Sequence, residues 1–286
     1  MIGRRAVLTL PLAASCARRS APPPGVVVTR VTFERAGARG GPTRATVLSP
    51  PAGEPLPVLV ALPGRGEVAR GPAAAADGWL VDYQLDRARA AAARGVTRED
   101  LGGLVTDARL RELQARPRLR GLVVVCPDIG DILAAPRRLD ACEAWGRALV
   151  EDALPEVRRR FSTASATGID GVSLGGRAAL LVGLAHPEVF SSVGALQAAV
   201  RSPEVPELVE RARGWSAARP GGALRLLTSD GDYFRPVIDE LSRSLSASSV
   251  PHEHVVATGP HDYSFNRGPG GIELLMFHDE ALRRAP

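Results

Sequence analysis

Lysine is absent: all 36 basic residues of this 286-residue chain are arginine. No run of 18 apolar residues occurs, which excludes a multi-span membrane protein. Three cysteines are too few for a disulfide-dense mini-protein. Aromatic residues make up only 4%, so aliphatic side chains must fill the core. With 45% hydrophobic and 23% charged residues, the composition lies near the globular average. Wholesale disorder and collagen-like repeats are thereby excluded.

A formal net charge of +5 invites a nucleic-acid reading. However, arginine and acidic residues alternate along most of the chain. The tight basic clusters (Arg4-Arg5, Arg18-Arg19, Arg137-Arg138, Arg158-Arg159-Arg160 and Arg283-Arg284) have no aromatics interleaved with them. A solvated surface of mixed charge is expected, with no nucleic-acid partner.

Residues 1–24 read as a signal peptide and Pro-rich linker. Arg4-Arg5 precede a short apolar run from Ala6 to Ala14, and Pro22-Pro23-Pro24 close the segment. The paired arginines resemble a twin-arginine export signal. Leu12-Ala13-Ala14-Ser15-Cys16 loosely resembles a bacterial lipobox, although Leu12 stands four residues before Cys16 and not three. The expectation is export to the periplasm or cell envelope, with a lipid anchor at Cys16 left open. Cleavage before Cys16 leaves 34 arginines against 31 acidic residues, a net charge of +3. Cys126 and Cys142 are then a disulfide in an oxidising compartment or two separate buried thiols.

Beyond the linker, strand and helix patterns alternate. Val26 to Phe33, Thr43 to Leu48, Leu56 to Leu62, Leu122 to Cys126, Ser165 to Gly171, Ser192 to Leu196, Ala223 to Thr228 and His254 to Val256 read as strands. The continuous aliphatic runs among them suit strands buried on both faces. Trp79, Tyr83, Arg87 and Ala90 to Ala93 fit one Ala-rich helix. Trp145, Leu149, Ala153, Val157 and Phe161 form a helical apolar stripe. Pro155 within that stripe predicts a kink or a restart. Gly175 to Ala185, Pro203 to Arg213, Pro236 to Leu245 and Gly271 to Leu282 read as further helices. This alternation predicts an α/β fold with a mainly parallel central sheet flanked by helices, in a single domain over residues 25–286.

Gly171-Val172-Ser173-Leu174-Gly175-Gly176 follows a predicted strand and opens a predicted helix. That is the context a G-x-S-x-G nucleophile elbow requires. The tight turn exposes the Ser173 hydroxyl, and glycines at the flanking positions avoid clashes with strand and helix. Such a hydroxyl attacks only when a base takes its proton. Of five histidines, His261 lies in the loop after the last strand, where an α/β-hydrolase places its base. The acid is expected after the penultimate strand. Asp230 and Asp232 both qualify there, and Asp232, further into the loop, has the better reach. Leu174 and Arg65 are the expected backbone N–H donors of an oxyanion hole. Arg65 sits in Pro63-Gly64-Arg65-Gly66-Glu67, the loop after the strand ending at Leu62.

These segments together resemble the esterase family of α/β-hydrolases that includes esterase D-like, feruloyl and enterochelin esterases. Pro57 to Gly64 is similar to that family's strand leading into its H-G motif, and the elbow matches at Gly171 to Gly176. Leu154-Pro155-Glu156-Val157, Ala185-His186-Pro187-Glu188-Val189-Phe190 and Gly259-Pro260-His261-Asp262-Tyr263 resemble further family segments. The family's usual His before the oxyanion Gly is Pro63 here, which leaves the conformation of that loop open. The resemblance implies an α/β-hydrolase fold and hydrolysis of carboxylic esters through a Ser-bound acyl-enzyme.

Three readings stand at this point: an exported serine esterase, an acyltransferase on the same triad, and a non-catalytic binding lipoprotein on a hydrolase fold. No cofactor and no metal site is expected. The glycine-rich stretch Gly268 to Gly271 lacks the Lys of a P-loop. A small-molecule or glycan-linked ester is the expected substrate. Trp79, Tyr83, Tyr263 and Phe265 either line its pocket or pack the core.

Overall fold

The computed structural model describes residues 25–33, 43–51, 53–130 and 138–284. The signal, lipobox and Cys16 expectations fall outside these residues. In chain order the strands are β1 (Val27–Phe33), β2 (Thr43–Ser49), β3 (Leu56–Leu62), β4 (Val123–Pro127), β5 (Thr163–Gly171), β6 (Phe190–Leu196), β7 (Ala223–Gly231) and β8 (Glu253–Pro260). The helices are α1 (Arg65–Ala69), α2 (Pro72–Val81), α3 (Leu85–Arg94), α4 (Asp107–Ala115), α5 (Arg138–Ala148), α6 (Leu154–Arg160), α7 (Leu174–Gly183), α8 (Val205–Ala218), α9 (Arg235–Ala247), the one-turn α10 (Tyr263–Phe265) and α11 (Gly271–Arg284).

All eight strands join one sheet in the order β1-β2-β4-β3-β5-β6-β7-β8. β1 and β2 are antiparallel to their neighbours, and every pairing from β4 through β8 is parallel. The side-chain period of two explains the aliphatic runs. In β3, Val58, Val60 and Leu62 enter one core layer, whereas Leu59 and Ala61 enter the other. α7, α8 and α9 cover the first face, and α2, α3 and α11 cover the second. Cys126 belongs to the second layer and Cys142 to the first; both are free thiols separated by the sheet. The disulfide expectation is therefore replaced by two buried thiols, and burial raises the pKa of both.

The single Ala-rich helix expected from Trp79 onward is instead two helices. Gln84 takes the left-handed conformation at φ 52 and turns the chain between α2 and α3. The stripe through Trp145 is continuous in space but changes its winding. A π-helical turn, Leu149–Ala153, follows α5, and α6 restarts with Pro155 in its first turn. Pro155 has no N–H to donate, and the bond it cannot make falls where the winding changes from π to α. α4 has no counterpart among the expected helices; its apolar side is narrow, and only Leu113 is buried.

Candidate active site

The parallel strands β5 to β8 end on one edge of the sheet, and the candidate residues collect there. β5 delivers Gly171, Val172 and Ser173 into α7. Ser173 has φ 55 and ψ −111, a conformation that non-glycine residues rarely adopt. Three backbone hydrogen bonds hold it. Ser173 N donates to Leu196 O at 2.9 Å, and Ser173 O accepts from Ala199 N at 2.9 Å and from Arg177 N at 3.1 Å.

The glycines of the elbow are sterically required. A Cβ on Gly171 would lie 2.5 Å from the Gly175 carbonyl carbon, and one on Gly175 would lie 2.5 Å from the carbonyl oxygens of both Leu62 and Pro63. The start of α7 thus rests directly on the end of β3. Val172 N donates to Leu62 O at 3.2 Å and completes the junction. Leu174 and Arg65 are the first residues of α7 and α1. Their N–H groups precede any intrahelical acceptor.

His261 follows β8, and its Nδ1 lies 2.8 Å from Asp232 Oδ1. Asp232 is buried, and it also accepts from Phe234 N at 2.9 Å and from Thr228 Oγ1 at 2.7 Å. The neighbouring Asp230 turns the other way and accepts Gly259 N at 2.9 Å, which ties the β7 and β8 ends together. Gln197 adds a brace after β6: its Nε2 donates to Ser229 Oγ at 2.7 Å and to Pro260 O at 3.0 Å. The rings of Tyr233 and Phe234 flank the imidazole, with centroids 4.3 and 5.5 Å away.

The other histidines are held elsewhere. His186 Nδ1 lies 3.0 Å from Glu188, His252 bonds Ser242 and the Val250 carbonyl, and His254 lies 3.3 Å from Asp239. His278 is wholly buried in α11. Its Nε2 lies 3.1 Å from Asp170 Oδ2 and its Nδ1 2.7 Å from Ser192 Oγ. Burial lowers its pKa from the usual histidine value.

The four aromatic candidates for a substrate pocket need correction. Trp79 and Phe265 have no exposed surface, and Tyr83 is buried. Trp79 donates its indole N–H to Leu62 O at 2.9 Å, and Phe265 packs against Gly259, so both brace the loops from below. Only Tyr263, 41% exposed, presents a ring to solvent. The sequence reading missed Glu67. This carboxylate is buried just after the loop that follows β3 and accepts the hydroxyls of both Tyr83 and Tyr263. No sequence signal marks it, because a Glu in a Gly-rich loop reads as solvent-exposed.

Comparison with known proteins agrees with this geometry. The family model described as “Putative esterase” matches residues 131–222. No functionally curated protein matches the sequence. Among solved structures, a ferulic acid esterase superposes with a TM-score of 0.66 at 17% identity, covering 90% of this chain and 99% of its own. The S-formylglutathione hydrolase FrmB from Staphylococcus aureus gives a TM-score of 0.63 at 14% identity, with 91% and 100% covered. The enterobactin esterase FES from Shigella flexneri gives 0.56 at 17% identity, with 87% of this chain and 58% of that chain covered. The chain has the α/β-hydrolase fold, and residues 131–222 of it match the esterase family.

Proposed function

We propose that this protein is a serine esterase that hydrolyses carboxylic esters through an acyl-enzyme on Ser173. The observation that carries the reading is the hydrogen bond between His261 and the buried Asp232, on the sheet edge where Ser173 occupies its strained turn. In this reading Ser173 Oγ attacks the ester carbonyl carbon as His261 takes its proton. Asp232 holds the imidazole in one tautomer and stabilises the imidazolium. The Leu174 and Arg65 N–H groups donate to the developing oxyanion. His261 then protonates the leaving alcohol, and water, activated by the same imidazole, releases the acid. The ferulic acid esterase and FrmB likenesses support an ester of a small organic acid as substrate class.

The test is p-nitrophenyl acetate turnover by the purified chain with and without Ser173→Ala. Wild-type turnover with loss in the variant is expected; equal rates refute the assignment. Adding competing alcohols and analysing the products separates hydrolysis from acyl transfer. Residues 1–24 support export by a twin-arginine route to the cell envelope, with Cys16 as a lipid attachment point. Fractionation of cells expressing the full chain, with and without Cys16→Ser, tests both parts of that proposal.

A further inference from the structure

The loop after β3 has an anchoring problem. Pro63 brings neither an N–H nor a polar side chain to the base of the loop, yet the loop must hold the Arg65 N–H within a few tenths of an ångström. Around Glu67 lies a hydrogen-bonded cluster that solves it. Gly64 N donates to Tyr83 Oη at 3.2 Å, and the Tyr83 hydroxyl donates its single proton to Glu67 Oε2. The other oxygen, Oε1, accepts the Tyr263 hydroxyl at 2.7 Å and faces Arg70 Nη2 at 3.3 Å.

The polarity of this chain of bonds is fixed. Tyr83 has one proton and gives it to the carboxylate, so its oxygen is left to accept from Gly64. The Gly64 peptide is therefore held in one orientation, and its N–H is used up within the loop. The next N–H, that of Arg65, is left for the substrate. Burial, and then the adjacent Glu67, raises the pKa of Tyr83, and the hydrogen bond to Glu67 raises that of Tyr263 to about 12. Both remain donors across the range in which an esterase is assayed.

Space has been cleared for the cluster. A Cβ on Gly78 would lie 2.7 Å from Glu67 Cγ, and one on Gly64 would lie 2.8 Å from Tyr83 Oη. The two ends of the cluster are the two loops that matter. Glu67 lies two residues beyond Arg65, and Tyr263 two residues beyond His261, and they join segments 196 residues apart in sequence.

Resting on the serine-esterase reading above, we infer that Glu67 is a positioning residue whose carboxylate, clasped by Tyr83 and Tyr263, fixes the oxyanion loop relative to the His261 loop. It touches no substrate and acts through the Arg65 N–H. Charge-assisted bonds to a buried carboxylate are shorter and stronger than neutral ones, which suits a clasp that must hold during catalysis.

The experiment compares wild type, Glu67→Gln and Tyr263→Phe with p-nitrophenyl acetate and with trifluoroacetophenone. Ser173 Oγ adds to the ketone carbon of this inhibitor, and its proton passes to His261. The carbonyl electron pair becomes an oxyanion that needs the same two N–H donors. Glu67→Gln keeps the size of the side chain and removes its charge. A kcat lower by about 10- to 100-fold is expected, with KM within threefold and inhibitor affinity falling in step with kcat/KM. Tyr263→Phe, at a half-exposed position, should lower kcat about fivefold with the same pattern. It carries the test alone if Glu67→Gln does not fold. Wild-type kcat, a change confined to KM, or unchanged inhibitor affinity in a folded variant overturns the inference. An inactive wild-type enzyme would instead refute the esterase reading itself.

Discussion

Replacing Gly175 with alanine places the new methyl group 2.5 Å from two main-chain oxygens, those of Leu62 and Pro63. Ordinary contact begins near 3.4 Å, so α7 and the end of β3 must part by about 0.9 Å. No side-chain rotation relieves this clash, because both partners are backbone. Gly175 N is also bonded to Val172 O at 2.8 Å, so the elbow cannot slide away freely. Leu174 rides on one side of this junction and Arg65 on the other. The separation between the two proposed oxyanion donors therefore grows by most of the opening. Misplacement by about 1 Å costs on the order of 100-fold in rate, or roughly 2.7 kcal/mol of transition-state stabilisation. Overpacking should also lower stability by about 1–3 kcal/mol, a tolerable loss for a domain of about 5–15 kcal/mol. The assay is kcat/KM on p-nitrophenyl acetate alongside thermal unfolding. Gly214→Ala serves as the control, since beyond its own stretch of helix backbone no atom lies within 4 Å of its Cβ position on the exposed side of α8. The control should keep full activity and gain about 0.5–1 kcal/mol of stability. A folded Gly175→Ala enzyme with kcat/KM within threefold of wild type refutes the argument that this contact sets the oxyanion spacing.

Two further outcomes follow from the same edge of the sheet and from the core beneath it. Asp232→Ala should lower kcat by on the order of 10⁴-fold, since it removes the His261 partner. Asp230→Ala removes only the Gly259 N tie and should cost tenfold or less; the reverse ranking would make Asp230 the acid. Stability should fall as pH drops below about 6.5, where the unfolded chain protonates His278 and the folded chain, in which burial lowers the His278 pKa, does not. The slope from this residue is up to about 1.4 kcal/mol per pH unit, ending at the lowered folded value. Asp170 and Arg225 face the same imidazole, the first favouring its charged form and the second opposing it. His254 is shifted downward as well, so the informative quantity is the difference between wild type and His278→Gln in urea midpoints from pH 7 to pH 5. Parallel slopes for the two proteins would show that His278 does not titrate on unfolding.

The strands were legible because their signal is local and redundant. β-branched or aliphatic runs end at Pro-Gly, Pro-Asp or Gly-rich turns, and each of the eight expected strands overlaps an observed one. The elbow was legible for a related reason. Its glycines answer to steric demands that no other residue meets, and these show in the sequence as spacing. What stayed hidden depends on distant partners. Gln84 carries no turn signature, and only the packing of α2 and α3 onto the same layer explains its left-handed geometry. His278 reads as one polar residue in an amphipathic helix. Its burial is understood only once Asp170, Ser192 and Arg225 are brought beneath it from three different strands.

The scarce aromatics show the same limit. Only twelve exist in the chain, and six of them, Trp79, Tyr83, Tyr233, Phe234, Tyr263 and Phe265, lie close in sequence to the proposed catalytic loops. Proximity suggested contact with substrate, but a ring beside a loop can equally hold that loop in place. Trp79, Tyr83 and Phe265 do the second: each is buried, the first two bond to backbone at Leu62 and Gly64, and the third packs under Gly259. Aliphatic side chains cannot do this work, since they carry no N–H or O–H to engage a loop while filling the space behind it. These three rings are therefore committed to fixing the loops. Ring surface facing solvent near His261 then falls to residues left over from that task. Those are Tyr263, whose hydroxyl is already engaged by Glu67, and Tyr233, 68% exposed and 4.3 Å from the imidazole. Tyr233 follows Asp232 directly, so the residue that orients His261 also fixes where the most exposed ring at this edge stands.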